Sequence, residues 1–356
     1  MKLTHMKNKL LNIFLFCILF LTNANAQDIH FSQVNETPLL MSPANTGFFN
    51  GYTRAIINYR NQWTSMGNSF GAAFNTGVVS VDGGLFKSRH RKSFLGLGFT
   101  WAYDRAGSAN ITKNNVLLHI SGIIKVGKKG VLSAGISGGV DNGSANYNNL
   151  RFASQFNGNY LEDNAALNGE KNFRQFTTTD INFGMAYEWS KVKTDQDHDD
   201  VTSLKFSYGL FHLNRAVQDF MPGSNYRMPM RHTIMINAVH DFEDTKFTIV
   251  PVLVAHMQAK AYQMIVGSVV KYRMSTGTKT TGQKTQNAIG FGLYYRTKDA
   301  FIPQLTYDMD DLSFTASYDF NVSNYRTVSR YRGGFEIGIR YNKLASSLFD
   351  ARREFK

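Results

Sequence analysis

Long stretches of strict two-residue alternation constrain this chain more than any other feature. In Ile181–Ser190, the residues Ile181, Phe183, Met185, Tyr187 and Trp189 share one face, and Asn182, Gly184, Ala186, Glu188 and Ser190 share the other. Leu312–Phe320 repeats the pattern, with Leu312, Phe314, Ala316, Tyr318 and Phe320 opposing Ser313, Thr315, Ser317 and Asp319. A period of two over nine or so residues is a β-strand with one apolar and one polar or small face. Such segments recur about fourteen times, at 53–63, 69–81, 94–104, 112–126, 130–142, 177–190, 201–214, 231–242, 247–258, 261–272, 288–295, 300–309, 312–320 and 333–342. Most are ~10–14 residues long, more than soluble strands usually reach and suited to a tilted membrane crossing.

The pattern predicts an all-β fold: a transmembrane antiparallel outer-membrane β-barrel of about 14 strands. A soluble β-sandwich also alternates, and two features separate the readings. The polar faces carry bulk and charge in some strands and mostly Gly, Ser, Ala and Asn in others, as a lumen partly filled by side chains requires. Aromatics gather near strand ends (Trp63, Trp101, Tyr103, Trp189, Tyr295, Tyr307, Tyr341), where a bilayer places interfacial girdles. Thirty glycines and only six prolines suit closely spaced strands. With both termini in the periplasm, the longest connection, 143–176, faces outside, as do 215–230 and 321–332, while Gly127–Lys129, Glu243–Lys246 and Asp310-Asp311 are short periplasmic turns.

The ends of the chain read differently. Lys2, Lys7 and Lys9 precede an apolar run over Leu10–Leu21, and Ala24-Asn25-Ala26 follows. That order predicts a cleavable secretory leader over 1–26, with cleavage after Ala26; the apolar run is too short to span a bilayer as a helix. Cys17 lies within the leader, so the exported chain is expected to hold no disulfide or thiolate site. The formal charge of +13 falls to +10 without the three leader lysines. For an exported protein this charge fits anionic lipid or acidic partner proteins; no nucleic acid partner is expected. Residues 27–52 form a pre-barrel segment, expected as a plug or in the periplasmic mouth, 53–342 the barrel, and 343–356 a basic periplasmic tail with Arg352, Arg353 and Lys356.

The exported start reads QDIHFSQVNETPLLMSPANTGFFNGYTRAIINYRNQW. It resembles the opening of the PorP/SprF family of Bacteroidetes outer-membrane proteins: Gln27, Asp28, His30–Gln33, Pro38-Leu39, Pro43-Ala44, Gly47, Tyr59-Arg60, Gln62 and Trp63 match, while Ser42 stands where Asn is usual. Phe211-His212-Leu213-Asn214, Tyr294 and Arg296, Tyr318-Asp319-Phe320, and Gly333–Tyr341 resemble further family strand motifs. The resemblance implies a barrel of the type IX secretion system that supports secretion or holds a secreted client, such as a gliding adhesin, at the cell surface. Other secretion components and outer-membrane lipid are then its partners.

Candidate chemistry points to binding and not to catalysis, and the chain is not expected to be an enzyme. Asp195–Asp200 lacks the spacing of a calcium loop, and Asp310-Asp311 reads as a hairpin turn. The nine histidines show no metal-ligand spacing, so neither metal nor cofactor is expected. The candidate partner or lumen contacts are His30, Phe31, Gln33 and neighbouring Ser32 before the barrel; Arg54, Arg60 and Trp63 on the first strand; Glu336 on the last; and Arg326 and Arg330 in the last external connection. Arg54, Arg60 and Glu336 sit on polar faces of strands that closure makes neighbours, so pairing across the seam is expected, whether as a structural ion pair or as a contact with cargo. A porin-like channel for small solutes is the alternative reading; an open basic lumen favours it, and a filled one favours anchoring.

Overall fold

The computed structural model describes residues 28–62, 74–87, 91–107, 110–145, 153–160, 175–194, 199–218, 225–243, 245–274, 287–323 and 329–343. The leader, Trp63, Arg326 and the tail beyond Lys343 lie outside these residues. Fourteen antiparallel strands close into one barrel. They are β1 (Thr53–Gln62), β2 (Phe74–Leu85), β3 (Ser93–Ala106), β4 (Ile111–Val126), β5 (Gly130–Ser144), β6 (Phe176–Thr194) and β7 (Asp199–Phe211). The second half comprises β8 (Arg231–Asp241), β9 (Phe247–Gln258), β10 (Ala261–Arg273), β11 (Asn287–Arg296), β12 (Ala300–Met309), β13 (Leu312–Asn321) and β14 (Arg332–Asn342). Each strand pairs with its sequence neighbours, and β14 closes on β1 with Arg60 directly opposite Glu336.

The barrel is apolar outside and polar within. On β6, Ile181, Met185 and Tyr187 are exposed, whereas Asn182, Gly184, Ala186 and Ser190 are buried. The same inversion runs around the wall, with Ile57, Leu97, Trp101, Phe291, Leu305 and Ile337 facing outward. A wall of this kind is stable only where hydrocarbon meets its outer face, and closure pairs every edge strand.

Two strands run four residues past their predicted ends: β2 to Leu85 where the sequence predicts Val81, and β6 to Thr194 where it predicts Ser190. Gly83-Gly84 reads as a turn. In the fold, Gly83 continues the strand because backbone passes close to it: a Cβ there would lie 2.8 Å from the Tyr52 carbonyl oxygen. At the end of the barrel where β1 starts and β14 finishes, the connections are 86–92, 127–129, 195–198, 242–246, 274–286 and 310–311. The opposite end carries the long ones, 145–175 and 212–230, beside two tight ones at 259–260 and 297–299.

Residues 28–52 enter the lumen. Three single turns of helix, Val34–Glu36, α1 (Pro38–Met41) and Pro43–Asn45, carry this segment along the interior from one end of the barrel to the other. Pro38 and Pro43 start the second and third turns, where a missing N–H costs no hydrogen bond. Phe31, Leu39, Met41, Ala44 and Phe48 are each 2% exposed or less. Burying an aromatic or large aliphatic side chain contributes roughly 1.5–3 kcal/mol, so this segment is a packed core and not a loose strap.

Candidate functional site

The site is the union of this plug with the lumen wall, and it has two ends. The chain leaves the plug to enter β1 at one end of the barrel; Asp28–Gln33 sits near the other. Ser32 is completely buried there. Its backbone N–H donates to Glu336 Oε1 at 2.6 Å, and the Gln33 N–H donates to Glu336 Oε2 at 2.9 Å. The Ser32 hydroxyl donates to Asp319 Oδ1 at 2.8 Å and accepts from the Arg296 guanidinium at 2.8 Å. Gln33 Nε2 donates to Ser317 Oγ and to the Glu336 carbonyl oxygen, both at 3.0 Å.

Two arginines and two carboxylates surround this dipeptide. Arg60 pairs with Asp319 at 2.9 Å and with Glu336 at 3.0 Å, and Arg296 pairs with Asp319 at 2.7 Å. All four side chains are 1% exposed. Buried charges persist only when paired and hydrogen-bonded, and two cations beside two anions leave the cluster neutral. Arg296 also holds Asp299 at 2.5 Å in the connection that follows β11. Arg60 further donates to the His30 carbonyl oxygen at 3.2 Å. Burial, reinforced by Arg60, Arg296 and His256, holds the His30 imidazole well below its usual pKa, so its ring is neutral.

A second ionic group anchors Asp28. The His212 imidazole lies between two carboxylates, with Nε2 2.9 Å from Asp28 Oδ2 and Nδ1 2.9 Å from Asp180 Oδ1. Both ring nitrogens face oxygen anions, which only the imidazolium satisfies. Burial alone would lower the His212 pKa, but Asp28 and Asp180 outweigh it and raise it to about 9. Arg231 and Lys113 approach Asp28 at 3.2 and 3.5 Å. Burial pushes the Asp28 carboxyl up, while Arg231, Lys113 and His212 together bring it well below the usual range.

The end nearer β1 is held by close packing more than by charge. The lumen-facing glycines Gly135 and Gly184 lie under Pro43 and Ser42; a Cβ at Gly135 would lie 2.6 Å from the Pro43 carbonyl oxygen, and one at Gly184 would collide with Ser42 Oγ. Wall hydroxyls cap the plug's carbonyls, with Ser121 donating to Thr46 at 2.6 Å and Ser133 to Ala44 at 2.7 Å. Arg54 faces Asp82 on β2 at 2.8 Å, and Asp82 also accepts from the Gly47 N–H at 2.7 Å. Lys205 donates to the Phe48 carbonyl oxygen at 2.7 Å.

The structure thus gathers His30, Ser32, Gln33, Arg60 and Glu336 into one cluster, with Arg60 and Glu336 paired across the β1–β14 seam. The cluster lies at the end opposite the start of β1, not in the mouth where β1 begins and β14 ends. Phe31 packs instead into an apolar group with Val34, Leu40, Val252, Val254, Ile265 and Ile302. Arg54 belongs to the other end, and Arg330 is exposed in the connection before β14 with a positive φ of 50°. Sequence reasoning did not single out Asp319, Arg296, Asp28, His212, Asp180 or Asp82 as contacts. A signal existed for four of them: Asp28, His212, Arg296 and Asp319 fall inside the quoted motifs, as charged residues on otherwise small or polar faces. Among the described residues no group of three or more His, Cys, Asp or Glu side chains is arranged to hold a metal.

These motif residues hold the plug at two neighbouring ionic groups, and the family model of type IX secretion system membrane protein PorP/SprF matches residues 23–341. The chain belongs to the PorP/SprF family. Its fold is that of an outer-membrane barrel. Similar solved structures include a FadL homologue of Pseudomonas aeruginosa, 13% identical over 85% of this chain and 92% of that one, with a TM-score of 0.46. The Ralstonia pickettii toluene transporter TbuX is 10% identical over 86% of this chain and 92% of that one, also with a TM-score of 0.46. No curated protein sequence matches the chain.

Proposed function

We propose that this PorP/SprF-family protein acts as a plugged barrel that supports type IX secretion by receiving or holding a secreted client at the cell surface, with no catalytic step of its own. The observation that carries this reading is the filled lumen: residues 28–52 occupy it and are fastened at both ends. A solute channel needs a continuous polar path, and Phe31, Leu39, Met41 and Phe48 stand where that path would run. The docking surface is then the outer rim, the end of the barrel to which the long connections 145–175 and 212–230 and the tight ones at 259–260 and 297–299 belong. A gliding adhesin is a client of the kind implied.

The test is affinity purification of the tagged barrel from outer membranes, with mass spectrometry of what accompanies it. Recovery of a large secreted protein in stoichiometric amount, lost when residues 213–230 are replaced by a short turn that keeps His212, is the expected result. Recovery of the barrel free of any secreted protein, from cells that are actively secreting, would overturn the anchoring role.

A further inference from the structure

The end of the barrel where β1 starts and β14 finishes carries charge unevenly. On one side, the connections after β2 and β4 and the end of β6 lie side by side: the Lys125 N–H donates to the Lys92 carbonyl oxygen at 2.7 Å, and the Ser190 N–H to the Lys129 carbonyl oxygen at 2.8 Å. This arc presents Arg91, Lys92, Lys125, Lys128, Lys129 and Lys191, of which Lys125 is half-buried and the others are exposed. No Asp or Glu occurs in 86–92, 125–129 or 189–193. None of the six is in a salt bridge among the described residues. The acids assigned to this end lie beside and across from the arc, at Asp195, Asp197, Asp199 and Asp200 after β6 in sequence and at Glu243, Asp310 and Asp311.

The basic arc stands directly on the lipid-facing wall. On β4, Ile120 and Ile124 point outward at 50% and 51% exposure, and Val126 follows at 51% before Lys128 and Lys129. Beside them, Leu85, Phe86, Leu95, Leu132 and Tyr187 are also exposed and apolar or aromatic. A hydrocarbon-facing surface that ends in aromatics and then in exposed cations is matched to a lipid, with acyl chains along the wall and phosphate at the rim. An acidic protein would need no such apolar continuation.

We propose that the arc formed by Arg91, Lys92, Lys125, Lys128, Lys129 and Lys191 is a binding site for the phosphates of anionic glycerophospholipids in the leaflet at this end of the barrel. Lysines here serve as mobile point charges reaching diester oxygens, and Arg91 offers a bidentate fork. Each basic residue near an anionic surface strengthens binding by roughly five-fold, so several together select anionic over zwitterionic lipid. The inference does not depend on the client-holding role, because it concerns the opposite end of the molecule.

The experiment is native mass spectrometry of the purified full chain from nanodiscs containing equal phosphatidylglycerol and phosphatidylcholine. The wild type should retain phosphatidylglycerol in preference to phosphatidylcholine. The Arg91→Gln, Lys92→Gln, Lys128→Gln, Lys129→Gln variant should lose at least about ten-fold of that preference. A control with Lys246→Gln and Lys343→Gln, on the other arc, should keep it. Equal retention of the two lipids by the wild type overturns the site even if the quadruple variant does not fold. So does a preference that survives in a folded quadruple variant, or that falls equally in the control. A preference for lipopolysaccharide over phosphatidylglycerol in mixed nanodiscs would likewise reject it.

Discussion

The two ends of the plug are fastened by different physics. Near Ser32 and Gln33, charge dominates: Arg60, Arg296, Asp319 and Glu336 supply hydrogen bonds that point from four strands onto one dipeptide. Near Pro43–Phe48, shape dominates: glycines thin the wall, and single hydroxyls meet carbonyls, with Arg54–Asp82 as the one buried ion pair of that region among the described residues. A charged cluster fixes register because its members cannot be left unpaired, whereas a packed contact tolerates small shifts. The far end therefore sets where the plug sits, and the near end sets how tightly it fills the space. The ionic end also joins the first strand to β14, β13 and β11, so plug placement and barrel closure are coupled.

The largest effect is expected from Glu336→Ala. It takes one of Arg60's two carboxylates and strands two backbone N–H groups in a dry interior, and should destabilise the folded barrel by about 3–5 kcal/mol. Urea unfolding in detergent, followed by the heat-dependent gel mobility typical of closed barrels, measures this. A loss under about 1 kcal/mol would break the distinction between the two ends. Next comes Gly184→Leu, which drives a side chain into Ser42 and Pro43 and should cost about 1–3 kcal/mol. The same assay checks it, and Gly122→Ala, where a Cβ meets nothing within 4 Å, should be nearly neutral.

The pH dependence sharpens the ionic side further. The His212 pKa is raised from 6.5 to about 9, so its contribution is fully present below about 6.5 and is lost as pH rises through about 9. Asp28 is lowered below 3.8, so its contribution is present above that value and is lost only as pH falls further. Hydrogen exchange of residues 28–36 should therefore speed up between pH 7 and 10, beyond its ordinary base-catalysed increase. His212→Gln should abolish that excess and cost on the order of 1–2 kcal/mol at neutral pH. The smallest effect belongs to Arg330→Ala, exposed and remote from both latches, which should leave stability within about 0.5 kcal/mol.

Much of this fold was legible because alternation reports which face is outside without reporting the partner. All fourteen strands follow from it, and their even number with β1 beside β14 brought Arg60 and Glu336 together before any coordinates. What alternation does not encode is the stagger around the barrel. Arg54 was grouped with the seam because it shares a face with Arg60, yet the register places it against Asp82 on the other neighbour. Asp319 stands one strand beyond Glu336, and Arg296 three beyond, so their convergence depends on the curvature of a closed wall. The apolar part of the lumen was hidden for a related reason: Val252 and Val254 sit in a run, Ile249–Ala255, that is apolar on both faces. Such a run gives no alternation to read.

The central claim is that the latched N-terminal segment closes the lumen, and planar-bilayer conductance of the purified barrel tests it most directly. The wild type should show no steady current above leak, and a variant lacking residues 28–45 that still closes its barrel should conduct in long, ohmic openings. Steady conductance through the wild type, unchanged by that deletion, would contradict it.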